Sequence, residues 1–515
     1  MANPNSQTLQ QYTTDQTSVW IQPEGCGTLP VMIGCLGVES ITVPKGEITK
    51  IKCISPFEAG KFITQASIRS APDDVEFPIL ANVGAQADWL NKLFNESHCP
   101  FPFYILFRCK GRKNNFSGYE LALRVQDAEI ESVDYGALVG RGEVAGIEKT
   151  YNLKAGAPDF AEIYKPVIST QTVETDYSLN DLTFCGETQC GGPCGDPVRD
   201  CETGYMIGAT NTGTGPDLTQ SMHDCIGWEL QRTGAGAIPT PPFTSLESAS
   251  SILCSNQTST QRLITARGTT DVASAVEIAY SDDNGLNWVN VNLSLATGDF
   301  VSGANGLYQR YDGTLWVVSE MGYIFTSEDN GAIWATRESG ALTGGDELTA
   351  IHYRDNFHAL AVGDVGNILV TEDGGEAWYL LDSTPNDIGQ VSPTTDKINT
   401  VWSVDRNWYI GTDAGELWRT RDLVNWYLIP FSGQLVGSIA DIEFVGCSGT
   451  LLFNKTGNRG EVLYTINGYD WELLTTPPNS GINSVHMLSA TEFYLTGNTH
   501  NGHGLVMKGT AYPTT

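Results

Sequence analysis

Cys185, Cys190, Cys194 and Cys201 lie in one short stretch, FCGETQCGGPCGDPVRDC, and thiols this close can ligate a metal or pair as disulfides. The spacing is C-x4-C-x3-C-x6-C. Zinc sites usually offer C-x2-C pairs, which are missing here. Disulfides are therefore the preferred reading, with a metal or free thiols as alternatives. The intervening Gly and Pro predict a loop. His500 and His503 could form a metal pair, but NTHNGHG reads first as a turn. The other histidines of this half, His223, His352, His358 and His486, are scattered. Trp316, Trp402 and Trp408 could stack on sugars, although core packing is the commoner use of such residues. The basic run Lys110-Gly-Arg112-Lys113 reads as a hairpin tip or a patch between subunits rather than a nucleic-acid site. No catalytic residue, metal or cofactor is assigned, and no enzyme is expected.

The second half is organised by a repeated turn. Ser281-x-Asp283-x-Gly285-x-x-Trp288, Ser327-x-Asp329-x-Gly331-x-x-Trp334 and Thr371-x-Asp373-x-Gly375-x-x-Trp378 share one form. Shortened versions follow at Thr420, Asp422 and Trp426 and at Thr465, Asn467 and Trp471. An eroded version at 221–228 has His223 and Cys225 in the Asp and Gly places. The hydroxyl and carboxylate suit turn amides, the Gly permits positive φ, and the Trp enters the next strand to pack between sheets. The first positions, 221, 281, 327, 371, 420 and 465, recur at the length of one four-stranded propeller blade. The acidic turn residues are accordingly expected to be structural.

The strands between these turns repeat as well, as in LTAIHY, ALAVGD and NILVTED, or INTVWSV, WYIGTD and ELWRTRD. The last set, INSVHML, EFYLTGN and GLVMKGT, has three strands and no box-Trp strand. A closed ring needs the missing strand from elsewhere, and residues 167–173 are expected to supply it. Six boxes plus this incomplete blade predict seven blades of about 50 residues each.

Residues 1–165 show no such repeat. FPFYILFRC (101–109) is a long β run, and Tyr119, Leu121, Leu123 and Val125 alternate with polar residues. Ile147, Tyr151 and Leu153 share a face in a later strand, and Trp89, Leu90, Leu93 and Phe94 predict one helix within residues 84–97. The fold class is thus mainly β: an antiparallel sandwich or barrel-like domain with one helix (1–165), then a Cys-rich linker with the closing and first strands (166–202), then the rest of the propeller (203–515).

The whole chain has 515 residues and a formal charge of -31. Residues 1–165 hold 19 acidic and 15 basic residues, leaving -27 on residues 166–515. Such acidity argues against coating nucleic acid or an anionic membrane. The polar start predicts no secretion signal, and no apolar run is long enough to predict a membrane span.

The turns resemble the Asp-box (BNR) repeats of sialidases, sortilin-type receptors and photosystem assembly factors. A sialidase would need an arginine cluster with a Tyr–Glu pair and an acid Asp. Arg232, Arg262, Arg310 and Arg354 could converge, but no Arg-Ile-Pro-like motif precedes the first box. In the first half, SVWIQPEGCG, PVMIGCLGVESITVPKGEITKIKC, GKFITQASIRSAPDD and VQDAEIESVDYGALVGRGEVAGIEKTYNLKA resemble the tail tube (major tail) proteins of long-tailed bacteriophages. That resemblance implies hexameric rings stacked into a hollow conduit for the genome. DNA would pass without sequence-specific contacts, and Glu129, Glu131 and Asp134 are candidates for an acidic lumen. It implies synthesis in the host cytoplasm, a place in the virion tail, self-assembly, and contact with other tail proteins at the tube ends. The acidic propeller would be an outward decoration; the alternative is a module that binds a host-surface glycan or protein.

Overall fold

The computed structural model divides into two compact units, Met1–Lys165 and Pro166–Thr515. It describes residues 18–21, 31–36, 48–54, 62–69, 75–81, 101–107, 121–135 and 149–155 of the first. In the second it describes 167–173, 178–188, 201–211, 215–222, 229–230, 249–255, 262–267 and most of 278–510.

In the first unit an antiparallel barrel closes on itself. Its order is Ser18–Ile21, Val31–Leu36, Val75–Ala81, Lys149–Ala155, Leu121–Tyr135, Phe101–Phe107 and back to Ser18–Ile21. Leu121–Tyr135 makes closure possible because it is long enough to serve two partners. Its first half pairs with Phe101–Phe107, its second half with Lys149–Ala155, and the exchange falls at Ala128. Closure leaves the barrel without a free edge. Ile48–Ile54 and Phe62–Arg69 form a separate two-stranded hairpin. The helix expected within 84–97 lies outside the described residues.

The second unit is a β-propeller. Six sheets are each built from four consecutive strands, from Leu179–Thr188 through Glu472–Leu474. Blades of consecutive strands therefore number six, not seven. One further four-stranded sheet is composite: Ile482–Ser489, Glu492–His500 and His503–Thr510 are joined by Val167–Val173, which runs antiparallel to His503–Thr510. The strand nearest the axis of each sheet packs on its neighbours, and the ring closes where Ile482–Ser489 meets Leu179–Thr188. Within the segment 166–202, Val167–Val173 and Leu179–Thr188 are both blade strands.

A repeated irregularity holds the ring. Every axial strand breaks register near its start, between Leu179 and Asp181, Ala249 and Ser251, Ala304 and Leu307, Leu348 and Ala350, Ile398 and Thr400, Ile439 and Asp441, and Ile482 and Ser484. A bulge re-aims the residue it releases from the ladder. Here that residue donates to a carbonyl of the following blade. Asn180 reaches Ala249 at 2.7 Å, Ser250 reaches Ala304 at 2.7 Å, and Asn305 reaches Leu348 at 2.8 Å. Thr349 reaches Ile398 at 2.6 Å, Asn399 reaches Ile439 at 2.9 Å, and Asn483 reaches Leu179 at 2.7 Å, closing the girdle. Ala440 cannot donate from its side chain. Asn454 on the neighbouring strand replaces it, giving its amide to the Ile482 carbonyl (2.7 Å) and accepting the Ile482 N–H (2.9 Å). Around this polar belt, apolar side chains fill the space between blades, as with Trp316, Leu348, Ala361 and Trp378, or Tyr409, Ile439, Leu451 and Trp471.

Candidate functional site

The three full boxes fold into one turn. Ser281, Ser327 and Thr371 each donate a hydroxyl to the carboxylate two residues on (Asp283, Asp329 and Asp373), all at 2.8 Å. Each hydroxyl also accepts the amide of Gly285, Gly331 or Gly375 at 2.9 Å. The carboxylates then accept the amides of Asn287, Ile333 and Ala377. Trp288 and Trp334 return their indole N–H to the Gly carbonyl of their own turn. Gly375 stands at φ 96°, where an L side chain is strained, and a Cβ would lie 2.3 Å from Trp316. The shortened turns use the same hydroxyl-to-carboxyl or hydroxyl-to-amide geometry at Thr420–Asp422 and Thr465–Asn467. In the first of these Leu423, not Gly, takes positive φ. The hydroxyl and carboxyl or amide side chains satisfy backbone groups of their turns, whereas Trp378 and Trp471 leave their buried indole N–H without a hydrogen-bond partner among the described residues. Trp288, Trp378 and Trp471 are buried between blades.

Cys185 does not pair with another of the candidate cysteines. Cys185 sits inside the axial strand Leu179–Thr188 rather than in a loop, and its disulfide partner is Cys254 on the next axial strand, with Cα atoms 5.3 Å apart. The bond therefore staples the first two blades. Cys190 and Cys194 lie outside the described residues, as does the side chain of Cys201. Cys447, which the sequence reading had not singled out, is also disulfide-bonded.

The arginines are engaged locally. Arg262 pairs with Asp282 (2.6 Å) and donates to the carbonyl of Asn330 in the next blade's turn. Arg310 pairs with Asp312 (2.5 Å) and donates to Gly374 in the following turn. Arg354 contacts Asp355 at 3.5 Å. Arg232 and His223 lie outside the described residues, and the side chains of Glu129, Glu131 and Asp134 are likewise not described. His500 and His503 face each other across a hairpin. Among the described residues no group of His, Cys, Asp and Glu could hold a metal ion. Trp316 and Trp408 are buried core residues.

Trp402 has a different place. It lines an axial cavity of about 550 Å³ built by all the axial strands. Counting from each bulge sorts the lining into levels. One residue beyond it stand Asp181, Ser251, Gly306, Ala350, Thr400, Asp441 and Ser484. Two residues further on stand Thr183, Leu253, Tyr308, His352, Trp402, Glu443 and His486. The two halves differ. On one side His352 lies against Trp402, with ring centroids 4.3 Å apart, and meets Tyr308 edge-on at 4.8 Å. On the other side Ser484 Oγ is 2.6 Å from Asp181 and 3.3 Å from Asp441, while Glu443 accepts the Met487 amide at 2.9 Å. The carboxyls also accept amides across blade boundaries, Asp181 from Ile252 and Asp441 from Val485.

Burial sets the charge state of this site. It pushes Asp181 up to about 7 and Asp441 up to about 6, against the hydrogen bonds each accepts, and raises Glu443 well above the carboxylate range. Desolvation acts oppositely on imidazole, lowering His352 to about 3 and His486 to about 4, so both rings stay neutral near pH 7. The cavity lining contains four carboxyl residues and no Lys or Arg. An arginine triad for a sugar carboxylate is therefore absent from the lining. Three neutral or proton-sharing acids facing an aromatic wall form a site for hydrogen-bond donors. Sequence inspection missed this site. The signal was present as an apolar–Asn/Ser/Thr pair at the start of every axial strand but the one at Ile439–Ala440, from which the lining positions can be counted.

No protein-family model matches the chain, and no curated protein does. Among solved structures, the chain is similar to YCF48 from Cyanidioschyzon merolae, at 13% identity and a TM-score of 0.46, over 68% of this chain and 100% of that one. It is similar to a catalytically inactive virginiamycin B lyase from Staphylococcus aureus at 11% identity and a TM-score of 0.46, over 67% and 99% of the two chains. A GH74 xyloglucanase from Xanthomonas campestris aligns at 13% identity and a TM-score of 0.43, over 66% of this chain and 55% of that one.

Proposed function

We propose that the protein is a structural subunit of a phage tail tube, in which the first unit self-assembles into stacked rings and the acidic propeller is an outward decoration. The observation that carries the reading is the hairpin Ile48–Ile54/Phe62–Arg69, which stands apart from a barrel that already has no free edge. Within the described residues its outer edges pair with no other strand, and unpaired edges are the ordinary means of joining subunits by strand addition. The charge distribution supports the same division. A unit near balance tolerates close self-packing, whereas the -27 on residues 166–515 favours solvated separation. The box residues serve their own turns, which fits a protein that performs no chemistry through them. Rings would be closed, symmetric hexamers, with DNA in the lumen and other tail proteins at the ends. Negative-stain micrographs of the purified full chain test this. Rings or tubes are expected, and a particle that stays monomeric at high concentration would overturn it.

A further inference from the structure

The axial cavity holds more than a carboxylate cluster. His352, 6% exposed, lines it and has no hydrogen-bond partner among the described residues, although its ring is packed on both sides. A neutral imidazole has one nitrogen that accepts a proton donor. Glu443 is similar: Oε2 takes the Met487 amide, but the nearest described polar contact of Oε1 is His486 Nδ1 at 3.8 Å, beyond hydrogen-bond reach. Ser484 completes the pattern, because its single hydroxyl proton faces both Asp181 and Asp441. Once its carboxyls are ionised, the site has more acceptors than donors, and no Lys or Arg in its lining supplies the deficit. The fourth lining acid, Glu347, is already paired with Lys397 at 2.6 Å.

We propose that this cavity binds a compact organic cation, an aryl- or alkylammonium, with its N–H donors at Asp181, Asp441 and Glu443 and its hydrocarbon part against Trp402 and His352. The Trp402 ring suits the choice, since an indole face attracts a cation and its adjoining carbons, and the His352 nitrogen adds an acceptor at its edge. Gly306 and Ala350, at the level of Asp181 and Asp441, leave the volume open on the side away from the acids. Binding would draw protons off the carboxyls, so affinity should rise from pH 6 to pH 8. The other groups facing them do not titrate in that window: His352 and His486 stay neutral, and Tyr308 is pushed up to about 12. The inference stands independently of tube assembly, because it is read as ligand binding whether the chain is monomeric or polymerised.

The test is calorimetric titration of the full chain at pH 8 with benzylamine and, as its neutral analogue, benzyl alcohol. Benzylamine should bind at least tenfold more tightly, release protons, and lose at least tenfold in affinity in Glu443→Gln and severalfold in Trp402→Leu. Equal affinity for the alcohol would overturn the proposal, as would tighter binding of methyl glucoside. So would benzylamine binding that survives both substitutions. If Glu443→Gln fails to fold, Trp402→Leu and the comparison with the alcohol decide.

Discussion

Asn483→Ala should weaken the propeller at the point where its two ends meet. The native amide donates 2.7 Å to the Leu179 carbonyl and lies 3.3 Å from Asn498 Oδ1. Leu179 is fully buried, so its carbonyl has little water to turn to once the donor is removed. Leaving such a group unpaired costs about 1–3 kcal/mol, more than the roughly 1 kcal/mol net worth of an ordinary hydrogen bond. The seam retains Ser484 on Asp181 and the stacking of Phe184 on His486, so the ring should stay closed but be easier to open. Urea unfolding followed by tryptophan fluorescence would show a lower midpoint with little change in slope. Asn399→Ala, which removes the same bond between interior blades, should cost a similar amount. If both variants unfold within about 0.3 kcal/mol of the parent, the girdle does not hold the ring and the reasoning fails.

The exception in the girdle gives a sharper test. Asn454→Ala should be as damaging as Asn399→Ala, and Ala440→Asn should restore part of the loss only in the Asn454→Ala background, measured by the same unfolding curves. Asp181 predicts a pH dependence. Its folded pKa of about 7 lies above the ordinary 3.8, so the folded state retains a proton that the unfolded chain has released. Stability therefore falls as pH rises from about 4 to about 7, by about 4 kcal/mol in total at roughly 1.4 kcal/mol per unit, and levels off above 7. His352 acts in the opposite sense over an overlapping range, losing stability as pH falls from 6.5 toward 3, so the difference between the parent and an Asp181 variant isolates the acid. Asp181→Asn should remove that fall between about pH 4 and 7, and an unchanged slope there would refute the assignment. Cys185→Ser or Cys254→Ser should cost about 2–4 kcal/mol under oxidising conditions and nothing extra under reducing ones. Asp373→Ala should lower stability by about 1–2 kcal/mol through the amide of Ala377 and the hydroxyl of Thr371, without altering any binding in the axial cavity.

The division between what was legible and what was not has a physical basis. The boxes could be read because all their interactions are local. Ser281, Asp283, Gly285 and Trp288 meet within one turn, so their chemistry survives as a short string that recurs blade by blade. The composite sheet could be reasoned out from a missing strand. Cys185 could not be placed correctly, because proximity in sequence suggested Cys190, Cys194 and Cys201, whereas its true neighbour lies across a blade boundary. The axial site is harder still. Each axial strand contributes several lining residues, and their types differ from blade to blade because the bulged turn of the strand, not the identity of the residues beyond it, is what repeats.

The girdle therefore links stability and site. The bulge that releases Asn180, Asn305 or Asn399 toward the next blade also sets which later residues point to the axis. Moving one bulge by one residue would turn Asp181 or Glu443 into the blade and an apolar neighbour, such as Leu182 or Ile442, toward the cavity. The belt recurs in nearly every blade because each junction needs the same bond, with Asn454 standing in for Ala440. The next level varies in residue type, and its acids also bond across blades, Asp181 to Ile252 and Asp441 to Val485, on the side that faces the aromatic wall.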